Sequence, residues 1–334
     1  MASRFLFLWQ PRLSLSKFLQ MSWSQYFFRF LPFSLSQWSI RTLGRLYYLV
    51  NRREQALIQE MIGLVFPGKI AAGKVQEKIK NAFQGIFDHY HEKLFLGYSN
   101  FPRLKAFLRK QVDFPDLDRL REAQAAGRGV ILVTGHFGAV EFLPGALTLN
   151  GIPTSMLCRF QSTRLREAQG RRARWIGLDL IEPRRGQGQG LWAALRALKA
   201  GRILIIECDE FENWRPAPHR LVYFLRHRLP PDRTLEVLHW RSGAPVVTAL
   251  VKRGGRRPYT CQLTPVDHSS SPGTIPISER CLEILEAAVQ THPEQWYQWK
   301  EFGKMIKTHR EVGYDHQEGG YLAPEPAISL PDQA

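Results

Sequence analysis

The chain has 334 residues, 44% of them hydrophobic and 23% charged, with a formal net charge of +16. That length buries a full core in one large domain or two, and the composition is globular, which excludes a disordered chain and a disulfide-stapled miniprotein. The charge attracts anionic partners (nucleic acid, an acidic protein or an anionic membrane leaflet) without choosing among them.

Residues 1–53 carry Arg4, Arg12, Lys17, Arg29, Arg41, Arg45, Arg52 and Arg53 and no acid at all. Aromatic residues crowd the same stretch, among them Trp9, Trp23, Phe30, Trp38 and Tyr47. Arg29, Pro32, Arg41 and Arg45 interrupt every apolar run before it reaches the ~18–20 residues that span a bilayer. Trp and Tyr favour the headgroup zone and basic side chains the anionic leaflet, so the segment predicts an interfacial anchor lying on the membrane. An organellar transit peptide and a basic helical subdomain packed on the core are the alternatives.

Apolar residues at Val75, Ile79, Phe83, Ile86, Phe87, Tyr90 and Leu94 recur at helical spacing and predict a helix over 71–96. Another is predicted over 117–127, stopped by Gly127. Strand-like runs then alternate with helix-like ones. The strands fall over 129–134, 154–158, 178–181, 203–208, 246–251 and 259–263, and the helices over 139–149, 163–176, 191–200, 234–241 and 278–289. The alternation predicts an α/β fold with a mostly parallel central sheet flanked by helices. Three parts follow: a membrane-associating helical region over 1–115, the α/β domain over 116–312, and a loose Gly/Pro-containing tail over 313–334.

Several chemistries are disfavoured along the way. Cys158, Cys208, Cys261 and Cys281 are widely spaced with no C-x-x-C, against a zinc site or disulfide framework and in keeping with a reducing interior. Gly186, Gly188 and Gly190 precede a helix, but Leu191 breaks the dinucleotide pattern and no Walker lysine appears. No G-x-S-x-G elbow exists. Cys208 stands near a strand end, yet it is flanked by Glu207 and Asp209, which do nothing to lower a thiol pKa.

The stretch GVILVTGHFGAVEF over 129–142 is different. In an open parallel sheet, ligands bind where strands end and the next loop turns into a helix. His136 is predicted at the carboxyl end of a strand and Glu141 in the first turns of the helix that follows. Five residues apart in one helix they would not share a face, but with the histidine in the preceding turn they can converge. A carboxylate on one imidazole nitrogen fixes the tautomer and leaves the other to take a proton from an alcohol. A helix-capping or polar core histidine is the plainer alternative. The second match to the spacing, His227 with Asp232, encloses Pro230 and Pro231, begins no helix, and reads as accidental.

At GHFGAVE the sequence resembles the bacterial lipid A late acyltransferases, the lauroyl/myristoyl branch of the His-x4-Asp/Glu acyltransferases. ARWIGLDLIEPRRG resembles that family's Arg-containing block, and LKAGRILIIECDE its Leu-x-x-Gly segment ending in Asp. VYFLRHRLPPDRTLEVLHWRSGAPVV and HPEQWYQW resemble later blocks, and NRREQALIQEMIGLVFP an earlier one. The likeness runs from about 45 to 307. It implies a glycerol-3-phosphate acyltransferase-like fold, and transfer of a fatty acyl chain from acyl carrier protein to a hydroxyl of a membrane glycolipid, a lipid A precursor by default. The place implied is the cytoplasmic face of the inner membrane.

On the resemblance, His136 is the general base and Glu141 orients it, while Arg174 and Asp209 shape the substrate site. No metal or cofactor is required. Three departures stand out: Ala139 and Val140 where relatives often have Asn-Trp, Glu210 where Gln is frequent, and Lys300-Glu301-Phe302 where His-x-Arg is frequent. These leave the chemistry in place but free the acceptor to be another lipid hydroxyl.

The basic balance suits an acidic carrier protein, a phosphorylated acceptor and an anionic membrane surface. The densest arginine stretch comprises Arg159, Arg164, Arg166, Arg171, Arg172, Arg174, Arg184 and Arg185, and Arg159, just past a strand, is a further substrate-binding candidate. A nucleic-acid-binding protein, the rival from another class, lacks any recognisable module, so no nucleic-acid partner is expected. A catalytically silent lipid-binding relative is the third reading.

Overall fold

Val130–Thr134 is apolar or β-branched throughout and buried at every position, as expected for a strand in the middle of a parallel sheet. In the computed structural model, which describes residues 22–67, 72–160, 163–183, 189–210, 222–229, 233–255, 257–267 and 275–311, it is the central strand. The sheet comprises β1 (Val112–Asp113), β2 (Val130–Thr134), β3 (Thr154–Leu157), β4 (Asp179–Ile181), β5 (Ile203–Glu207), β8 (Val246–Arg253) and β9 (Tyr259–Val266). Its order is β1-β9-β8-β2-β5-β3-β4, and only the β8–β9 pairing is antiparallel. The expected mostly parallel α/β sheet is therefore present. A separate antiparallel hairpin, β6 (Val222–Phe224) and β7 (His227–Leu229), turns at Leu225 and Arg226, both at positive φ.

Helices cover the sheet. Those before it are α1 (Ser22–Phe30), α2 (Phe33–Val50), α3 (Arg52–Val65), α4 (Ala72–Tyr98) and α5 (Phe101–Gln111). Within and after it come α6 (Leu117–Ala125), α7 (Leu143–Leu149), α8 (Thr163–Ile176), α9 (Gln189–Lys199), α10 (Thr234–Ser242), α11 (Ile277–Thr291) and α12 (Trp299–Glu311). The strands expected from sequence appear within a few residues of their places. The two-residue β1, the β6–β7 hairpin and α12 were not anticipated.

One expected helix is shorter than its pattern. Over 139–149 the α-helix begins only at Leu143, after a 3-10 turn at Val140–Phe142. The cause is hydrogen bonding: Gly138 N–H donates to Gln295 O (2.8 Å) and Ala139 N–H to Val251 O (2.9 Å), so the chain is pinned to its neighbours before it winds.

The N-terminal helices share the core of the sheet: Phe28, Ile40 and Phe87 belong to one buried cluster with Val130, Leu132 and Ile203. Ser36, Ile40 and Gly44, spaced i, i+4, i+8, form the buried face of α2. At Gly44 a Cβ would stand 2.6 Å from the Phe87 ring, so only glycine permits this approach to α4. Arg41 donates to Asp88 (2.7 Å), and Ser36 Oγ lies 2.9 Å from His91 Nε2. The other face of α2 exposes Leu35, Trp38, Leu46 and Leu49. The region thus packs on the core with one face and shows an apolar stripe on the other. Among the described residues no helix is long and apolar enough to cross a membrane. Residues 1–21, Arg184, Arg185, Gly186, Gly188, Asp232 and the tail over 313–334 lie outside the described residues.

Candidate active site

Strands β2 and β5 are parallel neighbours in register, Thr134 opposite Glu207, so they end side by side. Beyond them the chain turns at Gly135 to His136 on one side and runs to Cys208 and Asp209 on the other. Gly138 has φ 58°, and a Cβ there would meet Val251 O at 1.8 Å, so this turn admits only glycine. The late PEQWYQW segment lies along it: Phe137 bridges to Trp296, and Tyr297 N–H donates to His136 O (3.2 Å).

Asp209 is the hub. Its carboxylate is 1% exposed and lies 3.0 Å from His136 N with each oxygen. Oδ1 lies 2.8 Å from His136 Nδ1, and Oδ2 accepts from Trp296 Nε1 at 2.8 Å. A carboxylate facing Nδ1 makes that nitrogen the N–H donor and leaves Nε2 as the proton acceptor of the neutral ring. Nε2 faces Glu207 Oε2 and Glu210 Oε1, both at 3.8 Å, with 13% of the ring exposed.

The electrostatics follow from this crowd of acids. Burial by itself disfavours an imidazolium, but Glu207, Asp209 and Glu210 outweigh it and push the His136 pKa up to about 10. Burial also raises the Glu207 carboxyl, with His136 pulling the other way. The resting imidazole therefore holds a proton at neutral pH, beside a carboxylate whose proton affinity is itself raised.

Glu141 differs from expectation. It makes no ion pair with His136; its carboxylate lies 3.3 Å from Lys93 Nζ and 3.8 Å from His89 Nε2, both on α4. Two physical reasons account for this. The 3-10 turn replaces the helix that would have aimed Glu141 at the ring, and Asp209 already occupies Nδ1. Glu141 raises the Lys93 pKa, while burial and Lys93 hold His89 neutral, well below the usual histidine range. His89 stacks on Tyr297 (centroids 3.6 Å apart, 12° between planes), and Tyr297 meets His136 edge-on at 5.3 Å.

The other sequence candidates separate. Asp209 sits at the centre. Arg159 is exposed two residues past β3, at the strand end that faces the same way as that of β5. Arg174 is exposed in the last turn of α8, and no hydrogen bond or ion pair joins it to His136. Burial and Asp209 push the Cys208 thiol up, against a thiolate nucleophile, and all four cysteines are free. Glu207, Trp296, Tyr297, His89 and Lys93 were not anticipated in the site. The resemblance of HPEQWYQW to a family block was the one signal pointing to Trp296 and Tyr297. Among the described residues, His136, Glu207 and Glu210 alone place potential metal-ligand atoms within 4.8 Å of one another.

The arrangement suits proton transfer at a strand end: an oriented imidazole, a hydrogen-bonded acid behind it, and partly exposed acids in front. No curated protein matches the sequence. A family model described as bacterial lipid A biosynthesis acyltransferase matches residues 20–301, a span that contains every residue of this site. The chain belongs to the bacterial lipid A biosynthesis acyltransferases.

Proposed function

We propose that the chain moves a fatty acyl group from the thioester of acyl carrier protein to a hydroxyl of a lipid A precursor, with His136 as general base. The observation that carries this reading is the His136 ring, held at Nδ1 by Asp209 and presenting Nε2 to a partly open space between Glu207 and Glu210. At rest the ring is an imidazolium, and it becomes the base once its Nε2 proton has passed to solvent, so the reactive neutral form grows as pH rises. The neutral ring then takes the acceptor's hydroxyl proton as that oxygen attacks the thioester carbonyl. Collapse of the tetrahedral intermediate breaks the C–S bond, and His136 returns the proton to the leaving thiolate. The products are the ester and the carrier thiol. Asp209 keeps the tautomer and stabilises the imidazolium. Glu141 acts at one remove, fixing Lys93 and facing His89 behind Tyr297. Arg159 and Arg174 remain candidates for contacts to bound substrate.

The donor assignment rests on charge: an acidic carrier protein is steered to a chain of net charge +16. Incubating the protein with acyl carrier protein loaded with one fatty acid and a lipid A precursor should yield a lipid heavier by one acyl chain in the mass spectrum. No product from the loaded carrier, with product from acyl-coenzyme A, contradicts the donor; no acylated lipid from either contradicts the reading.

We propose that the protein docks at the cytoplasmic face of the inner membrane; the exposed apolar stripe of α2 and the basic residues around it support docking to an anionic lipid surface. Because residues 22–50 also pack on the core, deleting the segment would disturb the fold, and surface replacements are the cleaner probe. Changing Phe30, Trp38, Leu46 and Leu49 together to serine is expected to release the protein from anionic vesicles in flotation assays. Unchanged flotation contradicts the docking.

A further inference from the structure

On α8 (Thr163–Ile176), Arg164, Ala168, Arg171 and Trp175 are spaced i, i+4, i+7, i+11 and form one face. Part of that face packs on α5, where Trp175 meets Phe101 edge-on with centroids 4.9 Å apart. The face borders a cavity of about 630 Å³ whose opposite wall is the end of α4 and the start of α5, residues 97–102. Arg29, from the end of α1, lines the same cavity, as does Arg172. Four guanidinium groups therefore surround one space, with Glu167 the single acid on its wall.

Two further features point to a ligand. Tyr98 and Ser99 line the cavity, are 7% and 1% exposed, and carry buried hydroxyls with no hydrogen-bond partner. Buried hydroxyls are rarely left unpaired. Arg172 donates to the carbonyls of Leu96 and Ser99 at the end of α4, so it is fixed in place. Burial and the charge of Arg171 depress its pKa to about 10, an electrostatic tension that an anion would relieve. Trp175 and Phe30 stand exposed nearby, at 63% and 69%, where apolar side chains suit a lipid surface. Gly97, on the cavity wall, lies one helical turn along α4 from Lys93, the partner of Glu141.

We infer that this arginine cavity binds a phosphate carried on the headgroup of a membrane lipid, holding it beside the site where acyl transfer occurs. Planar guanidinium groups grip phosphate oxygens bidentately, and the tyrosine and serine hydroxyls can turn to donate to the same group. The ligand chemistry is a phosphoester at the membrane interface, either the acceptor's own phosphate or that of a bilayer phospholipid. This inference rests on the acyltransferase reading for the identity of the acceptor, but not for phosphate binding.

The test uses the full-length protein and phosphatidylcholine vesicles of four kinds: doped with phosphorylated acceptor, with its dephosphorylated form, with phosphatidic acid, or with oleate at matched surface charge. Arg164→Gln with Arg171→Gln changes two exposed cavity residues. Arg119→Gln with Arg121→Gln removes the same charge elsewhere. The cavity pair is expected to weaken binding to phosphate-bearing vesicles at least about tenfold, the control pair less than about threefold, with no difference between the pairs on oleate. Loss confined to the phosphorylated acceptor identifies the acceptor's phosphate, and loss on phosphatidic acid as well identifies any lipid phosphate; both sustain the inference. Equal weakening by the two pairs, or equal weakening of the cavity pair on oleate, overturns it. An inactive wild-type protein that still discriminates phosphate would overturn the acyl-transfer reading alone.

Discussion

His136→Ala is expected to lower acyl transfer at least about 10²-fold, the usual scale for loss of a general base. Asp209 keeps its bonds from the backbone N–H at position 136 and from Trp296 Nε1 in the variant, so folding and vesicle binding should be retained. Asp209→Asn should cause a loss of the same order, since an amide cannot hold the imidazole as a carboxylate does and the wrong tautomer follows. Its KM for the acceptor should change little. Glu141→Gln should lower kcat with KM nearly constant, as expected for a residue that works through Lys93 and His89; a change in KM alone contradicts that role. Initial rates with matched folding, checked by circular dichroism, decide all three. A wild-type rate in His136→Ala removes the histidine from the mechanism.

The second large effect is on stability. Arg253, in the last position of β8, makes two hydrogen bonds to Glu92 on α4 (2.7 and 2.8 Å) and a third to Gly138 O (2.7 Å). Glu92 is 0% exposed, and its carboxylate leaves Arg253 firmly protonated. Glu92→Ala strands that guanidinium in the interior, and removing one partner of a buried pair costs about 3–5 kcal/mol. Denaturant unfolding should report that loss, and replacing both residues by methionine should recover much of it, because no unpaired charge remains. A loss below about 1 kcal/mol for Glu92→Ala would mean that water reaches the pair. The bond to Gly138 ties this stability to function, since it braces the turn that presents His136.

The fold was legible because its signals are local. A buried strand such as β2 shows as an unbroken apolar run, and α8 shows as a pattern that the structure reproduces at both ends. The site was legible only in part. His136 was visible as a histidine at a strand end, but the carboxylate bonded to its ring, Asp209, lies 73 residues away, two residues past the end of β5, whose place beside β2 is set by sheet order. Local spacing instead offered Glu141, the nearest acid in sequence. The helix expected over 139–149 starts later than its sequence pattern. Hydrogen bonds to Val251 and Gln295, more than a hundred residues on, replace its first turn with a 3-10 turn. Glu92 with Arg253 and Asp209 with Trp296 escape detection for the same reason: each pairs distant segments that only the packed sheet brings together.

The pH dependence of kcat/KM in wild type and in Glu210→Gln tests the proton-handling role of His136 most directly. Carboxylates around the ring stabilise its charged form, so removing one lowers the imidazole pKa and makes the neutral base available at lower pH. The expected result is a rate that rises with pH in both proteins, with the rising limb of Glu210→Gln displaced toward acid. An identical limb in both, or one displaced toward alkali, would mean that the group losing its proton is not the histidine in this nest of acids.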